Sequence, residues 1–146
     1  MILELYNKIA EVLAGLGDCT IAHIDLWNQN VEFIEEDEAW ARPAVFIEFG
    51  EITWDPYKGM NNGLTGHGEV LLHIVTDWKG SAAQGSPYQA ETLADYELPN
   101  RIHDKLCGLR GTTFRNLMLS RTLTNHNHQE LLENIEVYKV TYERPL

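Results

Sequence analysis

The chain has 146 residues, and its 22 acidic residues outnumber its 11 lysines and arginines, which gives a formal net charge of −11 and an isoelectric point near 4.8. The length suits one domain, residues 1–146, that can bury a core without disulfides or metals. The acidic balance argues against a protein that grips DNA, because such proteins carry a basic face that neutralises phosphates. The composition therefore predicts an acidic globular domain, and its function has to come from the pattern.

The two cysteines, Cys19 and Cys107, lie too far apart in sequence to form the disulfide framework of a small secreted domain. Cys107 falls in a helical pattern, so we expect a buried free thiol there. Residues 1–17 contain three charged side chains, which is atypical of a signal peptide. No apolar run reaches the roughly 18 residues that span a bilayer. We therefore expect an intracellular compartment.

An amphipathic helix is predicted over residues 2–16, because apolar residues recur there at steps of three and four. Gly15 and Gly17 are typical of the C-terminal end of a helix. A short strand is predicted over Thr20–Trp27, where apolar and polar residues alternate. The segment of residues 28–40 is acidic, and its pattern fits a strand end, a loop or a short helix.

Two longer strands have the clearest pattern. Arg42-Pro43 precedes AVFIEFGEITW at residues 44–54, and EVLLHIVTDW follows at residues 69–78, both with period-two alternation. The intervening segment Asp55–Gly68 is rich in glycine and asparagine, which predicts a hairpin with a long, mobile loop. Such a loop is a candidate for function or assembly. Both strand faces are rather apolar, so we expect helices on one face of the sheet and another segment on the other.

A second loop, Lys79–Gln89, precedes a helix predicted over Glu91–Leu109, which Pro99 should start or kink. Two strands, Phe114–Leu123 and Asn134–Glu143, complete the chain. This order predicts an α+β fold with a mixed or mainly antiparallel sheet of about four to five strands and two helices packed on one face.

Histidine-containing segments are the first candidates for chemistry. His126 and His128 flank one asparagine, a spacing at which two imidazoles can hold a metal on a strand. They lie in a polar segment typical of a turn, and no further ligand joins them at metal-binding spacing. His67 and Glu69 pair an imidazole with a carboxylate, as acid–base catalysis requires, but the sequence shows neither an orienting partner nor a pocket, so a polar strand end is the favoured interpretation. A small metal-dependent or acid–base enzyme using His126, His128 and nearby carboxylates is therefore the alternative function.

Other catalytic signatures are absent from the sequence. No serine or threonine sits in a nucleophile elbow. The glycine-rich segment NNGLTGHG lacks the Lys-Ser/Thr ending of a phosphate-binding loop. The acidic run Glu32–Glu38 lacks the spacing of a calcium loop. We therefore expect no catalytic, cofactor-binding or metal-binding residues and no enzymatic activity.

The four tryptophans are Trp27, Trp40, Trp54 and Trp78. Trp54 and Trp78 lie at the ends of the two hairpin strands, next to the loops. An aromatic side chain at such a place either completes the core or anchors a partner. The first interpretation suits a monomer and the second suits an oligomer.

The element order resembles that of a known family. The features that carry the likeness are the N-terminal amphipathic helix, the Arg-Pro-led strand ARPAVFIEFG, the long-looped hairpin ending in LLHIVTDW, the helix RIHDKLCGL and the two closing strands. Together they resemble the tail terminator and tail completion (head–tail joining) proteins of long-tailed bacteriophages and prophages. The likeness spans nearly the whole chain and rests on order and pattern. The acidic segment Glu32–Glu38 departs from the family pattern.

The resemblance implies a structural α+β subunit that forms a homohexameric ring at the head-proximal end of the tail. Such rings stop polymerisation of the tail tube protein and bind the head–tail connector protein, so we expect the virion as the location and the host cytoplasm during assembly. No cofactor and no membrane are implied. By resemblance, Asp55–Gly68 and Lys79–Gln89 contact neighbouring subunits. The predicted interface residues are Trp54, Tyr57, Met60, Leu64, Trp78 and Tyr88.

The charge is compatible with that role. An acidic ring lets DNA pass without specific binding, because it offers little attraction to phosphates. The same charge makes subunits repel one another, so apolar contacts, strand edges and aromatic anchors must hold the ring together. A generic ligand-binding α+β domain is a third interpretation.

Overall fold

A computed structural model describes residues 1–17, 20–28, 40–55, 63–125 and 130–145, which form a five-stranded mixed sheet with helices. In chain order the elements are α1 (Ile2–Ala14), β1 (His23–Leu26), β2 (Ala44–Asp55), β3 (Leu64–Asp77), α2 (Gln89–Ala94), a 3₁₀ turn (Asp95–Glu97), α3 (Leu98–Leu106), β4 (Phe114–Asn125) and β5 (Leu131–Arg144). The strand order is β1-β2-β3-β5-β4. Among the described strands, β1 and β2 pair in parallel and the other neighbours pair antiparallel. The predicted α+β class is confirmed.

Several elements differ in extent from the sequence prediction, and two of these differences have a clear physical reason. The helix expected over Glu91–Leu109 is divided into α2 and α3 by the 3₁₀ turn, and Pro99 is the second residue of α3. Proline fits there because the first backbone N–H groups of a helix have no partner within it. Strand β3 begins at Leu64, so the loop predicted over Asp55–Gly68 is too long at its C-terminal end.

Helices α1 and α3 pack on one face of the sheet, here called the helix face. Leu5, Ile9 and Leu13 recur every four residues of α1 and are at most 1% exposed. Leu98, Ile102 and Leu106 repeat that spacing in α3. This burial is the main force that holds the helices to the sheet, because stabilisation scales with apolar area removed from water. The strand residues beneath them are Val45, Ile47, Val70, Leu72, Ile74, Tyr138, Val140 and Tyr142.

The opposite side of the sheet, here called the second face, is covered at one end. Phe46 is fully buried there, with the Trp40 ring 4.8 Å and the Trp27 ring 6.2 Å from its own ring centre. Both tryptophans come from outside the sheet strands, which agrees with the expectation that another segment covers this face. The smaller core on this side consists of Ala44, Phe46, Val75 and Leu131. The other end of the second face is open to solvent.

Glu4 connects α1 to the start of β4. Its carboxylate accepts hydrogen bonds from the Thr112 hydroxyl at 2.7 Å and from the Thr113 backbone N–H at 2.9 Å. These bonds favour the charged carboxylate, and they lower the pKa of Glu4 from 4.5 to about 2. The helix is thereby held to the strand at its N-terminal end as well as by its apolar face.

Candidate interaction surfaces

Strand β4 forms one edge of the sheet and exposes apolar side chains. Met118 is 64% exposed, Leu123 46% and Leu119 39%. Because β4 lies last in the strand order, its outer backbone groups pair with no other described strand. A long edge strand with exposed apolar residues is a site at which another strand can add. We call the outer side of Phe114–Asn125 the β4 edge.

Two irregularities interrupt the β4 edge. The register with β5 shifts between Arg115 and Met118 and again between Leu119 and Arg121. Within the first shift, Asn116 has a φ of 58°, a left-handed conformation that asparagine tolerates better than most residues. Bulges twist an edge and restrict which strands can pair with it, so this edge is poorly suited to indiscriminate aggregation.

The β4 edge also has an unusual charge for this protein. It contains two arginines and no acidic residue, although the whole chain carries −11. Arg115 bonds the buried Glu143 of β5, and Arg121 lies 3.4 Å from Glu69 of β3. Both arginine side chains stay about half exposed, at 46% and 58%. A second strand that adds here would therefore meet two half-exposed arginines, each already next to an acidic side chain of its own sheet.

The opposite edge of the sheet is partly covered. Strand β1 pairs with β2 over Ala44–Ile47, and no described strand pairs with the same side of β2 beyond that point. The remaining residues, Glu48–Asp55, carry three acidic side chains and no basic one. We call the outer side of this segment the β2 half-edge. It spans roughly 26 Å at about 3.3 Å per residue.

The loop end of the hairpin contains two of the six predicted interface residues. Trp54 is half-buried, and the Arg144 guanidinium lies 5.9 Å from the centre of its ring. Leu64 is 37% exposed and is opposite Arg144 in the register of β3 and β5. A Cβ at Gly66 would lie 2.8 Å from the Trp54 ring, so glycine is needed for the ring to lie on β3. Tyr57 and Met60 belong to residues 56–62, outside the described part of the chain.

The opposite end of the hairpin contains the last two predicted interface residues, Trp78 and Tyr88. Trp78 is 46% exposed and donates its backbone N–H to the Glu130 carbonyl at 3.0 Å. Tyr88 is 52% exposed and packs on Gly80, which has a φ of 123°. Strand β3 between the two ends has 14 residues and is roughly 43 Å long. The structure thus places the four predicted interface residues that it describes at two separate ends and does not bring those four together.

The connection at Trp78–Tyr88 is tied to helix α2. The Thr92 hydroxyl donates to the Gly80 carbonyl at 2.8 Å, and the Lys79 ammonium lies 2.8 Å from the Asp95 carboxylate. These contacts tie Lys79 and Gly80 to the helical segment, and Tyr88 packs on Gly80. An aromatic side chain that is already fixed loses little conformational entropy when a partner covers it.

A buried polar cluster lies beneath the tryptophans of the second face. The His73 side chain is 6% exposed, its ring stacks on Trp27 with centroids 3.8 Å apart, and its Nε2 lies 3.2 Å from a Glu48 carboxylate oxygen. Its Nδ1 lies 3.5 Å from the buried Glu133, which accepts from the Asn125 amide at 2.8 Å. The cluster lies under the Trp27 ring, and the side chains of His73 and Glu133 are almost completely buried.

His73 was not among the residues singled out from the sequence. Alternation in β3 placed it on the face opposite Ile74, which is where the structure has it. The stacking partner Trp27 and the carboxylate of Glu133 come from distant parts of the chain. A buried histidine is therefore predictable here only if the covering tryptophan is known.

The open end of the second face forms a shallow groove of about 550 Å³. His67 and Glu69, which the sequence offered as an acid–base pair, lie in the middle of β3 rather than at its start. They line the groove with Glu51 and Lys139. Solvent reaches the groove widely, and that is unlike the enclosed, water-excluding pocket of most catalytic sites.

Several further sequence predictions concern metals and thiols. Cys107 is exposed, which corrects the expected buried thiol, because α3 ends at Leu106 and Cys107 follows it. Cys19, His126, His128 and the acidic run 32–38 lie outside the described residues. Within the described ranges, no three His, Cys, Asp or Glu side chains come together in a way that could hold a metal ion.

Comparisons with known proteins add no family. No protein-family model matches the chain, and no curated protein matches it either. None of the described helices has the length and apolar character needed to cross a bilayer.

Proposed function

We propose that this chain is a structural protein of a phage or prophage that assembles into a ring, a homohexamer, at the head-proximal end of the tail. There it terminates the tail tube and joins it to the head connector, without catalysis or cofactor. The observation that carries the proposal is the β4 edge, a long strand whose outer side pairs with no other described strand and which exposes three apolar residues on an acidic subunit. Its two bulges limit indiscriminate pairing, while its exposed apolar side chains still offer a surface that a specific partner can cover.

The two ends of the hairpin give the proposal a second support. A ring subunit at a tail–head junction has to contact its neighbours and the structures above and below it. Exposed apolar side chains lie at both ends of β3, with Leu64 at one end and Trp78 and Tyr88 at the other. Aromatic anchors of this kind are enriched among the residues that dominate protein–protein binding.

The charge gives the third support. A hexamer would carry six copies of the −11 subunit, so its channel would attract phosphates weakly. We expect linear duplex DNA to show no binding at physiological salt, because few cations are available to release counterions.

A tube-capping assay tests the proposal. Tail tube protein encoded in the same prophage is polymerised with and without this protein, and tube lengths and ends are examined by negative-stain microscopy. We expect shorter tubes that carry extra ring-shaped density at one end. The Glu11→Arg variant, altered at an exposed position of α1 away from both sheet edges, is the matched control and should cap equally well. Tubes of unchanged length with bare ends, at saturating protein, would contradict the proposal.

A further inference from the structure

We infer that copies of this chain associate head to tail, with the β4 edge of one subunit adding to the β2 half-edge of the next. The inference deepens the proposed function, because it names the contact that would build the ring. It depends on self-association and not on the phage role itself.

Charge complementarity selects this partner. The β4 edge carries Arg115 and Arg121 without an acidic residue, and the β2 half-edge carries three acidic residues without a basic one. A contact between two β4 edges would instead place four arginines along one pair of strands. Opposite charges on paired strands are favourable and like charges directly opposite are unfavourable.

Strand direction allows the same partner. Strands β2, β3, β5 and β4 each run antiparallel to the next, so β4 runs opposite to β2. Two subunits placed side by side in the same orientation therefore bring β4 against β2 of the neighbour as an antiparallel pair, with the sheet continuing across the junction. A contact between two different surfaces can be repeated from subunit to subunit. It gives a closed ring when the rotation between neighbouring subunits brings the last copy back to the first.

The side chains at the junction also match. Arg121 lies opposite Val137 in the register with β5, and Val137 lies opposite Leu71, which in turn faces Glu48 of β2. This chain of pairs places Arg121 and Glu48 on the same face of the sheet. In a continued sheet Arg121 of one subunit would thus lie on the same face as Glu48 of the next, and Glu51 and Met118 line the groove of that same face.

Charge exchange at each edge tests the inference. Arg121→Glu and Glu51→Arg are made separately, since Arg121 is 58% exposed and Glu51 is exposed in the β2 half-edge. Analytical ultracentrifugation gives the subunit concentration at half-assembly. Each variant alone should raise that concentration by about tenfold or more, because like charges then face each other at every junction. An equimolar mixture of the two should assemble as the unaltered protein does.

Two matched controls and two milder variants keep the test decisive. Arg110→Glu and Glu11→Arg make the same charge changes at exposed positions outside both edges and should assemble normally. Arg121→Gln and Glu51→Gln replace the reversals if a reversed charge prevents folding, and circular dichroism reports whether each variant folds. Each of these neutral variants should weaken assembly less than the corresponding charge reversal does.

Normal assembly of Glu51→Arg would overturn the inference, because it would mean that the β2 half-edge is not part of the contact. It would be compatible with a contact between two β4 edges, which does not use Glu51. Failure of the mixture to recover assembly would overturn it too. If oligomers depend on these edges but do not cap tail tubes, the interface stands and the proposed function fails. If tubes are capped by oligomers whose assembly is weakened by neither Arg121→Glu nor Glu51→Arg, the proposed function stands and the inferred interface fails.

Discussion

The two faces of the sheet differ in what covers them. On the helix face, α1 and α3 bury a continuous apolar layer, and residues such as Ile102 are fully excluded from water. On the second face, the cover that the described residues provide lies at one end, where Trp27 lies over His73, and the other end is a charged, open groove. The difference indicates that the helix face stabilises the subunit, whereas the open end of the second face and the β4 edge beside it expose side chains to solvent.

The largest expected effect contrasts an interior residue with an edge residue. Ile102→Ala should lower the free energy of unfolding by about 2–5 kcal/mol, because it leaves a cavity under α3. Met118→Ser, at a side chain that is 64% exposed, should change it by less than about 0.5 kcal/mol. Urea unfolding at a concentration where the protein is monomeric measures both. Comparable losses for the two variants would mean that the β4 edge is part of the folded core.

The next effect compares two histidines of β3 on the second face. His73→Leu should cost about 1–3 kcal/mol, because it removes the partner of Glu48 and a group next to the buried Glu133. His67→Leu, six residues earlier in the open groove, should change stability by less than about 0.5 kcal/mol. Thermal unfolding of the two variants at one pH gives the comparison. Equal losses of stability in the two variants would show that the Trp27 ring over His73 contributes nothing to the stability of the protein.

A smaller effect concerns pH and the contact between α1 and β4. The pKa of Glu4 falls from 4.5 to about 2 in the folded state, so its stabilising contribution is complete above pH 4.5 and is lost as the pH drops toward 2. Glu4→Gln should lower stability by about 1 kcal/mol at neutral pH, a modest loss because the carboxylate is partly exposed. The difference between the two proteins should vanish near pH 2. A pH-independent difference in unfolding free energy would contradict this account of Glu4.

The smallest effects separate two buried tyrosines of the helix face. The Tyr138 hydroxyl lies 3.0 Å from Nδ1 of His103, so Tyr138→Phe should cost about 1 kcal/mol. The Tyr142 hydroxyl has no hydrogen-bond partner among the described residues, and burial raises its pKa to about 12. Tyr142→Phe should therefore leave stability unchanged or raise it slightly. A loss at Tyr142 as large as that at Tyr138 would reveal a partner for its hydroxyl.

Local patterns predicted much of the fold. The spacing of Leu5, Ile9 and Leu13 identified α1 and its buried face, and alternation in β2, β3 and β5 assigned residues to the two sides of the sheet. These features were predictable because they depend on the periodicity of the chain itself. The α+β class followed from the order of the elements.

Features that depend on distant residues were not predictable. Gly66 and Gly68 made the start of β3 look like a loop, yet each leaves room for an aromatic ring, Trp54 over the first and Tyr142 beside the second. Cys107 has the spacing of a helix face, but α3 ends one residue earlier and leaves the thiol exposed. The positive charge of the β4 edge is visible in the sequence, and its meaning emerges once β4 is known to be an edge strand.

Native mass spectrometry across a range of protein concentrations tests the central claim, that this subunit builds a closed ring, most directly. The account predicts one discrete oligomer, a hexamer, in equilibrium with monomer, because head-to-tail addition stops when the ring closes. A protein that stays monomeric at every concentration would contradict it, as would a dimer that never grows or a ladder of oligomers with no preferred size.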